Sequence, residues 1–332
     1  MLRFGGIMKF IKNCLRTSRY QSLPNRWRIE GRDVRIMNFA IGIDLGGTRI
    51  KGTAIDADGN ILHKLYTPTF DGDGAIWKHA VADTVKNLLE KINGHNSVIG
   101  ISAPGLPSHD HTAIAYMPGR MQGLENFLWQ EFLQRPTYVL NDAVAALIAE
   151  ATSGAAKNRR HVVMLTLGTG VGGAIMIHGK PYLGAFNKAG HIGHMVINED
   201  RDRDVTGMPG SLEECIGNCT IEKRTNGKFT STHDLLIACN NGDEFAKDIW
   251  LKSVKQLAIG IASITNILSP EAIVLGGGIA EAGDVLFEPL NEYIGEFEWR
   301  TGGNKVEIVK AVYGDLAGTI GAASFAMNKA YQ

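Results

Sequence analysis

Residues 41–52 read IGIDLGGTRIKG, and this stretch is the most informative part of the chain. An apolar run leads into Asp44, a Gly-Gly-Thr turn follows at 46–48, and a second apolar run continues to Asp56, an order that predicts a β-hairpin. The two glycines let backbone N–H groups approach a ligand closely, and successive N–H groups in such a turn attract anions. Asp44, at the strand end, would suit a hydrated Mg²⁺. The alternative is a plain hairpin with an Asp-capped turn.

A second glycine loop strengthens the case for a nucleotide site. The apolar, β-rich run 162–167 enters GTGVGG at 168–173, and another apolar run follows at 174–177. A dinucleotide-binding glycine motif must open a helix, whereas a strand follows here, so the Rossmann interpretation fails. A third cluster, Gly276-Gly277-Gly278, follows the predicted strand 272–275. Two phosphate-type hairpins and a later glycine-rich strand end indicate two similar halves that close on one nucleotide.

With these loops, the chain resembles the ROK family (repressors, open reading frames and sugar kinases) of the actin-like ATPase superfamily. The resemblance runs from about residue 38 to about residue 328 and rests on six motifs in family order: DLGGT at 44–48, APG at 103–105, ND at 141–142, LGTGVGG at 167–173, GHIGH at 190–194 and GGG at 276–278. It implies an α/β protein with the two-domain actin-like ATPase (ribonuclease H-like) fold and an inter-domain cleft. It also implies an ATP- and Mg²⁺-dependent sugar kinase.

The domain prediction has three parts. A basic extension over 1–36, predicted to be disordered, precedes a small α/β domain over 37–145. The small domain is completed by a C-terminal helix over 315–330, and a large α/β domain spans 146–314. Strands are predicted at about 38–45, 50–57, 60–66, 97–103, 137–140, 162–167 and 272–275, helices at about 75–92, 124–134, 143–151, 243–268 and 315–328, and a loop at 103–107. Helical spacing places Phe245 on the buried face of the helix over 243–268.

Composition and charge argue against several classes of function. At 332 residues the chain exceeds one ordinary core, and no run approaches the roughly 20 apolar residues that span a bilayer. Its formal charge of zero offers no electrostatic case for nucleic acid. Residues 1–36 nevertheless hold nine Lys/Arg against two Asp/Glu, which indicates a disordered extension, an upstream start ahead of Met37, or a transit peptide. Four cysteines without a disulfide framework predict a cytoplasmic protein, and the family predicts a homodimer.

Asp142 is the candidate catalytic base. It follows a predicted strand and precedes a helix, so a plain helix N-cap is the alternative. The resemblance implies that Asn141 binds sugar and that Asp142 takes the hydroxyl proton, a role for which an ordinary carboxylate pKa suffices. It further implies sugar contacts from His194, Glu213 and the loop at Gly105. His191 stands where the family usually has Glu, so an acceptor-only carboxylate becomes an imidazole that can also donate, and its sugar contact is open.

The remaining site residues are also implied by the family. The predicted ATP-binding residues lie in the three glycine-rich segments. The first segment contributes Asp44, Gly46, Gly47, Thr48 and Lys51, the second contributes Gly168, Thr169 and Gly170, and the third contributes Gly276, Gly277 and Gly278. Asp44 is the candidate magnesium contact, through water. No partner beyond sugar, ATP and a second copy is expected, with neither nucleic acid nor membrane.

After His191, the loss of the cysteine zinc ligands is the second departure from the family pattern. Many members carry Cys-x-Cys-Gly-x-x-Gly-Cys-x-Glu, three thiolates that join a His to bind structural Zn²⁺. The equivalent stretch is 204–213, where the cysteine positions hold Asp204, Thr206 and Ser211 and only Glu213 is retained. These side chains do not replace thiolates, so no zinc is expected. Cys215 and Cys219, at i and i+4 near His191 and His194, suggest a metal site, although ordinary buried cysteines are the favoured interpretation.

The predicted activity is phosphorylation of a hexose hydroxyl, with glucose and its 6-position first. An N-acylated amino sugar, fructose or mannose are alternatives. A sugar-responsive repressor is a rival from another class, but the segment before residue 41 holds Pro24 and no clear pair of amphipathic helices for a winged helix. A catalytically dead sugar-binding protein is a third possibility, which the retained Asp44 and Asp142 disfavour.

Overall fold

The computed structural model describes residues 26–29, 32–35, 39–69, 76–94, 97–117 and 121–330. Of the predicted extension 1–36, only two strands are described. They are β1 (Arg26–Ile29) and β2 (Arg32–Arg35), which pair as an antiparallel hairpin, so these eight residues are regular where disorder was predicted. The rest of the extension, including Cys14, lies outside the described residues. No helix within the described ranges is long and apolar enough to cross a bilayer.

Strands and helices follow one another in short groups along the remainder of the described chain. The strands are β3 (Phe39–Leu45), β4 (Arg49–Asp56), β5 (Ile61–Pro68), β6 (Ser97–Ala103), β7 (Leu106–Pro107), β8 (Ile114–Tyr116), β9 (Thr137–Asn141), β10 (Val162–Leu167), β11 (Val171–Ile177), β12 (Lys180–Pro181), β13 (Ala272–Gly276) and β14 (Glu307–Lys310). The helices are α1 (Ile76–Ile92), α2 (Trp129–Leu133), α3 (Asp142–Thr152), α4 (Leu212–Ile216), α5 (Ile221–Arg224), α6 (Thr232–Asn240), α7 (Glu244–Leu268), α8 (Asp284–Phe297) and α9 (Ala317–Ala330).

Two five-stranded sheets repeat one topology. The first has the order β5-β4-β3-β6-β9, in which β3, β4 and β5 are antiparallel and β6 and β9 run parallel to β3. The second has the order β12-β11-β10-β13-β14 with the same pattern of directions. Each of the first two glycine loops is the turn of the first hairpin of its sheet. The prediction of two similar halves is therefore confirmed, and the chain has the actin-like ATPase fold.

The apolar face of one helix packs against each sheet, and each pair forms a hydrophobic core of its own. Helix α1 turns Trp77, Val81 and Leu88 inward at helical spacing, onto Ile43 and other apolar side chains of the first sheet. Helix α7 does the same on the second sheet, in a core that contains Leu165, Leu257, Ile261 and Ile273. These cores hold the sheets rigid, so that the strand ends can carry side chains in fixed positions.

Helix α9 returns from the end of the chain to the first sheet, where glycines let it approach closely. A Cβ at Gly42 of β3 would lie 1.8 Å from the carbonyl oxygen of Thr319, and one at Gly100 of β6 would lie 1.9 Å from that of Ala322. On its other side, a Cβ at Gly321 would lie 1.6 Å from the carbonyl oxygen of Ala145 in α3. Since no side chain fits at these three points, glycine is required for the helix to pack on two strands and on α3 at once.

The structure differs from the sequence prediction in several elements. The helix predicted over 124–134 is only the five residues of α2, and the predicted loop 103–107 contains β7, which pairs with β8. Strand β11 begins at Val171, inside the glycine run. Phe245, predicted on the buried face of α7, is 39% exposed, because the buried stripe at the start of the helix runs through Ala246, Trp250 and Val254 instead. These segments are governed by tertiary pairing rather than by local periodicity.

Replacing Gly321 by Ala is expected to destabilise the fold. Alanine has the higher helix propensity by about 1 kcal/mol, so any loss reports the clash with Ala145 and not the helix itself. We expect the free energy of unfolding, measured by urea denaturation, to fall by about 1–3 kcal/mol. Asn328→Ala, at an exposed position of the same helix, is the control and should change it by less than about 0.5 kcal/mol. Equal unfolding free energies for Gly321→Ala and wild type would contradict close packing at this glycine.

Candidate active site

Asp44 is held at the end of β3 by contacts to both of its oxygens. Lys51 Nζ lies 3.1 Å from Oδ2, and the hydroxyl of Ser102 donates to Oδ1 at 2.8 Å. Helix α9 passes so near that a Cβ at Gly318 would lie 2.7 Å from Oδ1. Lys51 is therefore paired with Asp44 within the protein. Both oxygens accept hydrogen bonds, an arrangement that suits contact with a hydrated cation through water.

The first loop is braced from outside. The backbone N–H of Thr69 donates to the carbonyl of Thr48 at 3.0 Å, and the Thr69 hydroxyl donates to the carbonyl of Gly46 at 2.7 Å. These bonds use carbonyl groups of the turn and leave its N–H groups for other partners. Such a turn can bind an anion through its backbone donors.

Asn141, and not Asp142, caps helix α3. The Oδ1 atom of Asn141 accepts from the backbone N–H groups of Ala143 at 3.0 Å and Val144 at 3.4 Å, and its Nδ2 donates to the carbonyl of Gly105 at 3.1 Å. The amide thus joins the helix start to the loop after β6, and one N–H of Nδ2 is left for a ligand. Gly105 itself has φ 98°, the left-handed region that favours glycine.

Asp142 is at the first turn of α3, on the edge where β3, β6 and β9 end. These strands are parallel, and their registers place Asp44 beside Ser102 and Ala103 beside Asn141. The Oδ1 atom of Asp142 accepts from the backbone N–H of Ala143 at 2.8 Å. The two carboxylates therefore lie at one sheet edge, two strands apart.

Burial, and after it the negative charge of Asp44, together raise the pKa of Asp142 to about 6. Part of the residue is nonetheless exposed to solvent. Protein atoms therefore surround the carboxylate closely, while part of its surface still reaches water. The ordinary pKa expected from the sequence is thus corrected, because the sheet edge brings a second carboxylate close.

The second loop is tied to helix α4 by Glu213. Glu213 Oε2 accepts from the backbone N–H of Val171 at 2.9 Å, and a Cβ at Gly170 would lie 2.1 Å from the same oxygen. The carbonyl of Thr169 accepts from the N–H of Cys219 at 2.7 Å. Glu213 is therefore packed directly under the second loop, with one carboxylate oxygen committed to it.

Two glycines of the loops face open space. A Cβ at Gly168 or at Gly278 would meet no described atom within 4 Å, and neither residue has a positive φ. Neither packing nor backbone conformation explains why these positions are glycine, whereas close approach of a ligand does. Gly277 is different, since it has φ 86° and a Cβ there would lie 2.3 Å from the carbonyl oxygen of Leu167. That contact holds the third cluster against the start of the second loop.

His191 and His194 lie on a short turn that packs against β11. A Cβ at Gly193, between them, would lie 1.8 Å from the carbonyl oxygen of Val171. His191 Nδ1 lies 3.2 Å from the carbonyl oxygen of Lys188, and burial lowers the pKa of His191. A carbonyl only accepts, so Nδ1 carries the proton and Nε2 of the neutral ring is an acceptor. The ability to donate, anticipated from the sequence, is thus used within the protein.

His194 is held by a residue that the sequence identified only as a lost zinc ligand. Its Nδ1 lies 2.8 Å from Oδ2 of Asp204, whose side chain is fully buried. Ser102 is a second partner that was missed, although aligning β3 with β6 would have placed it beside Asp44. Asp204 gave no such signal, because it follows His194 by ten positions along irregular chain.

The suggested metal site at the cysteines does not form in the described part of the chain. Cys215 is buried in α4, but Cys219 is exposed and lies in the next short turn, so the pair does not share one helix. No group of three or more His, Cys, Asp or Glu side chains in the described ranges is arranged to hold a metal ion. The expectation that both cysteines are buried is wrong for Cys219.

Comparison with known proteins gives consistent matches over nearly the whole described chain. The model of the ROK family matches residues 40–329. Glucokinase of Thermotoga maritima is 28% identical over 86% of this chain and 96% of its own, and an N-acetylmannosamine kinase of Escherichia coli is 28% identical over 87% and 98%. Among solved structures, the ROK hexokinase of Thermus thermophilus superposes with a TM-score of 0.79 at 28% identity, covering 88% of this chain and 98% of that one.

The stability of an Asp142→Asn variant should depend on pH in a defined direction. The pKa of Asp142 is raised in the folded protein to about 6, so ionisation opposes folding, and this penalty is complete above about pH 6 and absent below the unfolded-state pKa. The Asp142→Asn variant has no ionisable group at this position and therefore lacks this penalty. We therefore expect the difference in unfolding free energy to grow in favour of the variant from about pH 4 to about pH 6 and then to level off, reduced in size by solvent screening.

The exposed Asp248→Asn is the control for this comparison and should show no such trend. Denaturation curves recorded at several pH values give the difference directly. A variant that becomes less stable than wild type as the pH rises would contradict the raised pKa.

Proposed function

The chain belongs to the ROK family, and from this premise we propose that it is an ATP-dependent sugar kinase that phosphorylates a hexose, with the 6-hydroxyl of glucose as the first candidate acceptor. The observation that carries the proposal is Asp142, a carboxylate of raised pKa at a sheet edge beside Asp44 and near the first glycine loop. Perturbed carboxylates of this kind are typical of catalytic groups. The glucokinase and N-acetylmannosamine kinase relatives support a sugar as acceptor.

In this reaction the sugar hydroxyl oxygen forms a bond to the γ-phosphorus of ATP as the bond to the β,γ-bridging oxygen breaks. ADP leaves, and the hydroxyl proton passes to the carboxylate of Asp142. With a pKa of about 6, Asp142 is mostly ionised at neutral pH yet more basic than an ordinary carboxylate. Asn141 fixes the helix start on which Asp142 stands and thereby its position toward the hydroxyl.

The phosphates would be held by backbone N–H groups of the two hairpin loops. The braced first turn at 46–48 in the first sheet and the open-faced Gly168 and Gly278 in the second leave such groups accessible. Mg²⁺ bound with ATP would neutralise phosphate charge, and the carboxylate of Asp44 fits contact with its water shell. Lys51 holds that carboxylate in place through the 3.1 Å contact of Nζ with Oδ2.

The protein would recognise the sugar through several hydrogen-bond acceptors and one hydrogen-bond donor. His191 and His194 each have Nδ1 bonded within the protein, so each neutral ring has Nε2 left to accept from a hydroxyl. Asn141 has one amide N–H to donate, and Glu213 has one oxygen beyond its bond to Val171. At His191 the imidazole thus offers an acceptor, as the usual family Glu does. This supports an ordinary hexose as substrate, with an N-acylated amino sugar, fructose or mannose as alternatives.

Binding of DNA or of sugar without turnover are the rival functions. A gel-shift assay with the full chain tests the first, and release of ADP in the presence of sugar tests the second. The raised pKa of Asp142 favours catalysis, because a protein that only binds sugar has no use for a more basic carboxylate. The cytoplasmic location and the homodimer stay predictions.

Asp142→Asn is expected to lose most activity without losing the fold. Asparagine preserves the shape and can still accept from the Ala143 N–H, but it cannot take the hydroxyl proton. Removal of a general base lowers kcat by about 10²–10⁴-fold. The measurement is coupled ADP release with glucose, with Asp248→Asn as the control at wild-type rate. If Asp142→Asn keeps more than roughly a third of wild-type turnover, Asp142 is not the base.

His191→Glu is expected to change which sugars are accepted. A carboxylate at this position cannot donate to the Lys188 carbonyl and must move away from it, so the acceptor toward the sugar shifts. A mismatched buried polar contact changes relative kcat/KM between hexoses by about tenfold or more. The KM for ATP should stay within about twofold, as in the control His233→Glu at an exposed helix position. A uniform change for every sugar, or a change confined to ATP, would show that His191 does not contact the sugar.

A further inference from the structure

Asp204 is the centre of a buried hydrogen-bond cluster beside the candidate sugar site. Its side chain has no solvent exposure, and it lies at a position where the family pattern given above has a cysteine. Oδ1 accepts from the Thr206 N–H at 2.8 Å, from the Thr206 hydroxyl at 2.7 Å and from the Met208 N–H at 3.0 Å. Oδ2 accepts from His194 Nδ1 at 2.8 Å.

These donors keep the carboxylate ionised. Burial by itself would raise the pKa of Asp204, but hydrogen bonds from the side chains of Thr206, His194 and Ser211 and from the Met208 N–H outweigh it and hold the pKa well below its usual range. Each oxygen is surrounded by donors alone, which is the arrangement a carboxylate can satisfy and an amide cannot.

A zinc ion does not fit this cluster. The hydroxyls of Thr206 and Ser211 are directed at Asp204 as donors, and both oxygens of Asp204 are already engaged. Thiolates supply most closed structural zinc sites, and none is present at these positions. The stretch thus presents hydrogen-bond donors and a fully engaged carboxylate instead of free metal ligands.

The cluster also reaches helix α4. Ser211, which bonds to Asp204, caps this helix by accepting from the Glu214 N–H at 3.4 Å, and Leu212 N–H donates to the Met195 carbonyl at 2.9 Å. Glu213 stands in the first turn of the same helix. One buried carboxylate is thus linked to the two candidate sugar contacts that flank it, His194 directly and Glu213 through the helix cap.

We propose that Asp204 is a positioning residue: it fixes His194 in the Nδ1–H form, so that Nε2 accepts from a sugar hydroxyl. The reason is that a carboxylate without a proton only accepts, so the proton of the neutral ring must be on Nδ1. The consequence for sugar binding rests on the proposed sugar kinase function. The position of the proton on the His194 ring does not depend on that function. His194 is 27% exposed, so its second nitrogen is accessible to a ligand.

Asp204→Asn separates this role from mere packing. If the amide oxygen replaces Oδ2, its NH₂ group faces the donors of Thr206 and Met208, and three donors lose their acceptor. If the amide is turned round, the oxygen satisfies these donors and the NH₂ group faces His194 Nδ1. The ring must then accept at Nδ1 and carry its proton on Nε2, which reverses the polarity offered to the sugar.

The first experiment is ¹⁵N NMR of the histidine-labelled, unliganded full chain at about pH 8, where a histidine of ordinary pKa is neutral. His194 is assigned by its loss in His194→Ala. We expect the Nδ1–H form in wild type and in the control Asp200→Asn, an exposed position of the same loop, and the Nε2–H form in Asp204→Asn. An Nε2–H ring in wild type would overturn the proposal, and so would about one zinc per chain by elemental analysis of the purified protein.

The second experiment uses kinetics with glucose and ATP. Asp204→Asn should raise KM for the sugar by about tenfold or more, with KM for ATP within about twofold of wild type. In a His194→Ala background the same substitution should have no further effect on the sugar KM. An equal effect in both backgrounds would overturn the proposal, since Asp204 would then act on the fold and not through His194. Absence of turnover with every sugar would refute the kinase function, while the NMR result still decides the role of Asp204.

Discussion

The crossing of helix α9 over the first sheet is the constraint on which the site depends. The helix touches β3 at Gly42, β6 at Gly100 and, through Gly321, the backbone of α3, with separations that no Cβ allows. One turn earlier, Gly318 lies against the carboxylate of Asp44. The end of the chain therefore fixes the distance between the strand that carries Asp44 and the helix that carries Asp142. Interior packing of this density transmits small displacements, so the geometry of the two carboxylates is set by backbone contact rather than by flexible side chains.

The electrostatic character of the site follows from that packing. Parallel strands end at one edge and bring Asp44 near Asp142, and their mutual repulsion adds to desolvation in raising the pKa of Asp142 to about 6. Asp44 is stabilised by Lys51 and Ser102, whereas Asp142 has the N–H of Ala143. Two like residues thus differ in their surroundings, which agrees with the roles proposed for Asp44 at the cation and for Asp142 at the hydroxyl proton. The second sheet repeats this topology. Its loops contribute backbone contacts, and the helix beside them, α4, carries Glu213.

The sequence predicted elements whose signals are local and left out those that depend on distant contacts. Apolar runs around the glycine turns and the apolar stripe of α1 predicted most central strands and the longest helices within a few residues. The helix predicted over 124–134 was too long, since only α2 forms there, and strand β7 was missed because it depends on pairing with β8 and not on periodicity. At the site, motifs named Asp142, Glu213 and the histidines. Sequence could not show that Asn141 is the cap or that Asp204 holds His194, since both facts come from the path of irregular loops.

The most direct test of this account is the titration of Asp142 itself. Carboxyl ¹³C NMR of the unliganded protein, with Asp142 assigned by its loss in Asp142→Asn, gives the midpoint without any assumption about the substrate. The account predicts a midpoint of about 6 in wild type and a lower one in Asp44→Asn, where the neighbouring charge is absent. A wild-type midpoint near the ordinary aspartate value of about 4, or one that Asp44→Asn leaves unchanged, would contradict the claim that the packing of α9, β3 and α3 brings the two carboxylates into one site.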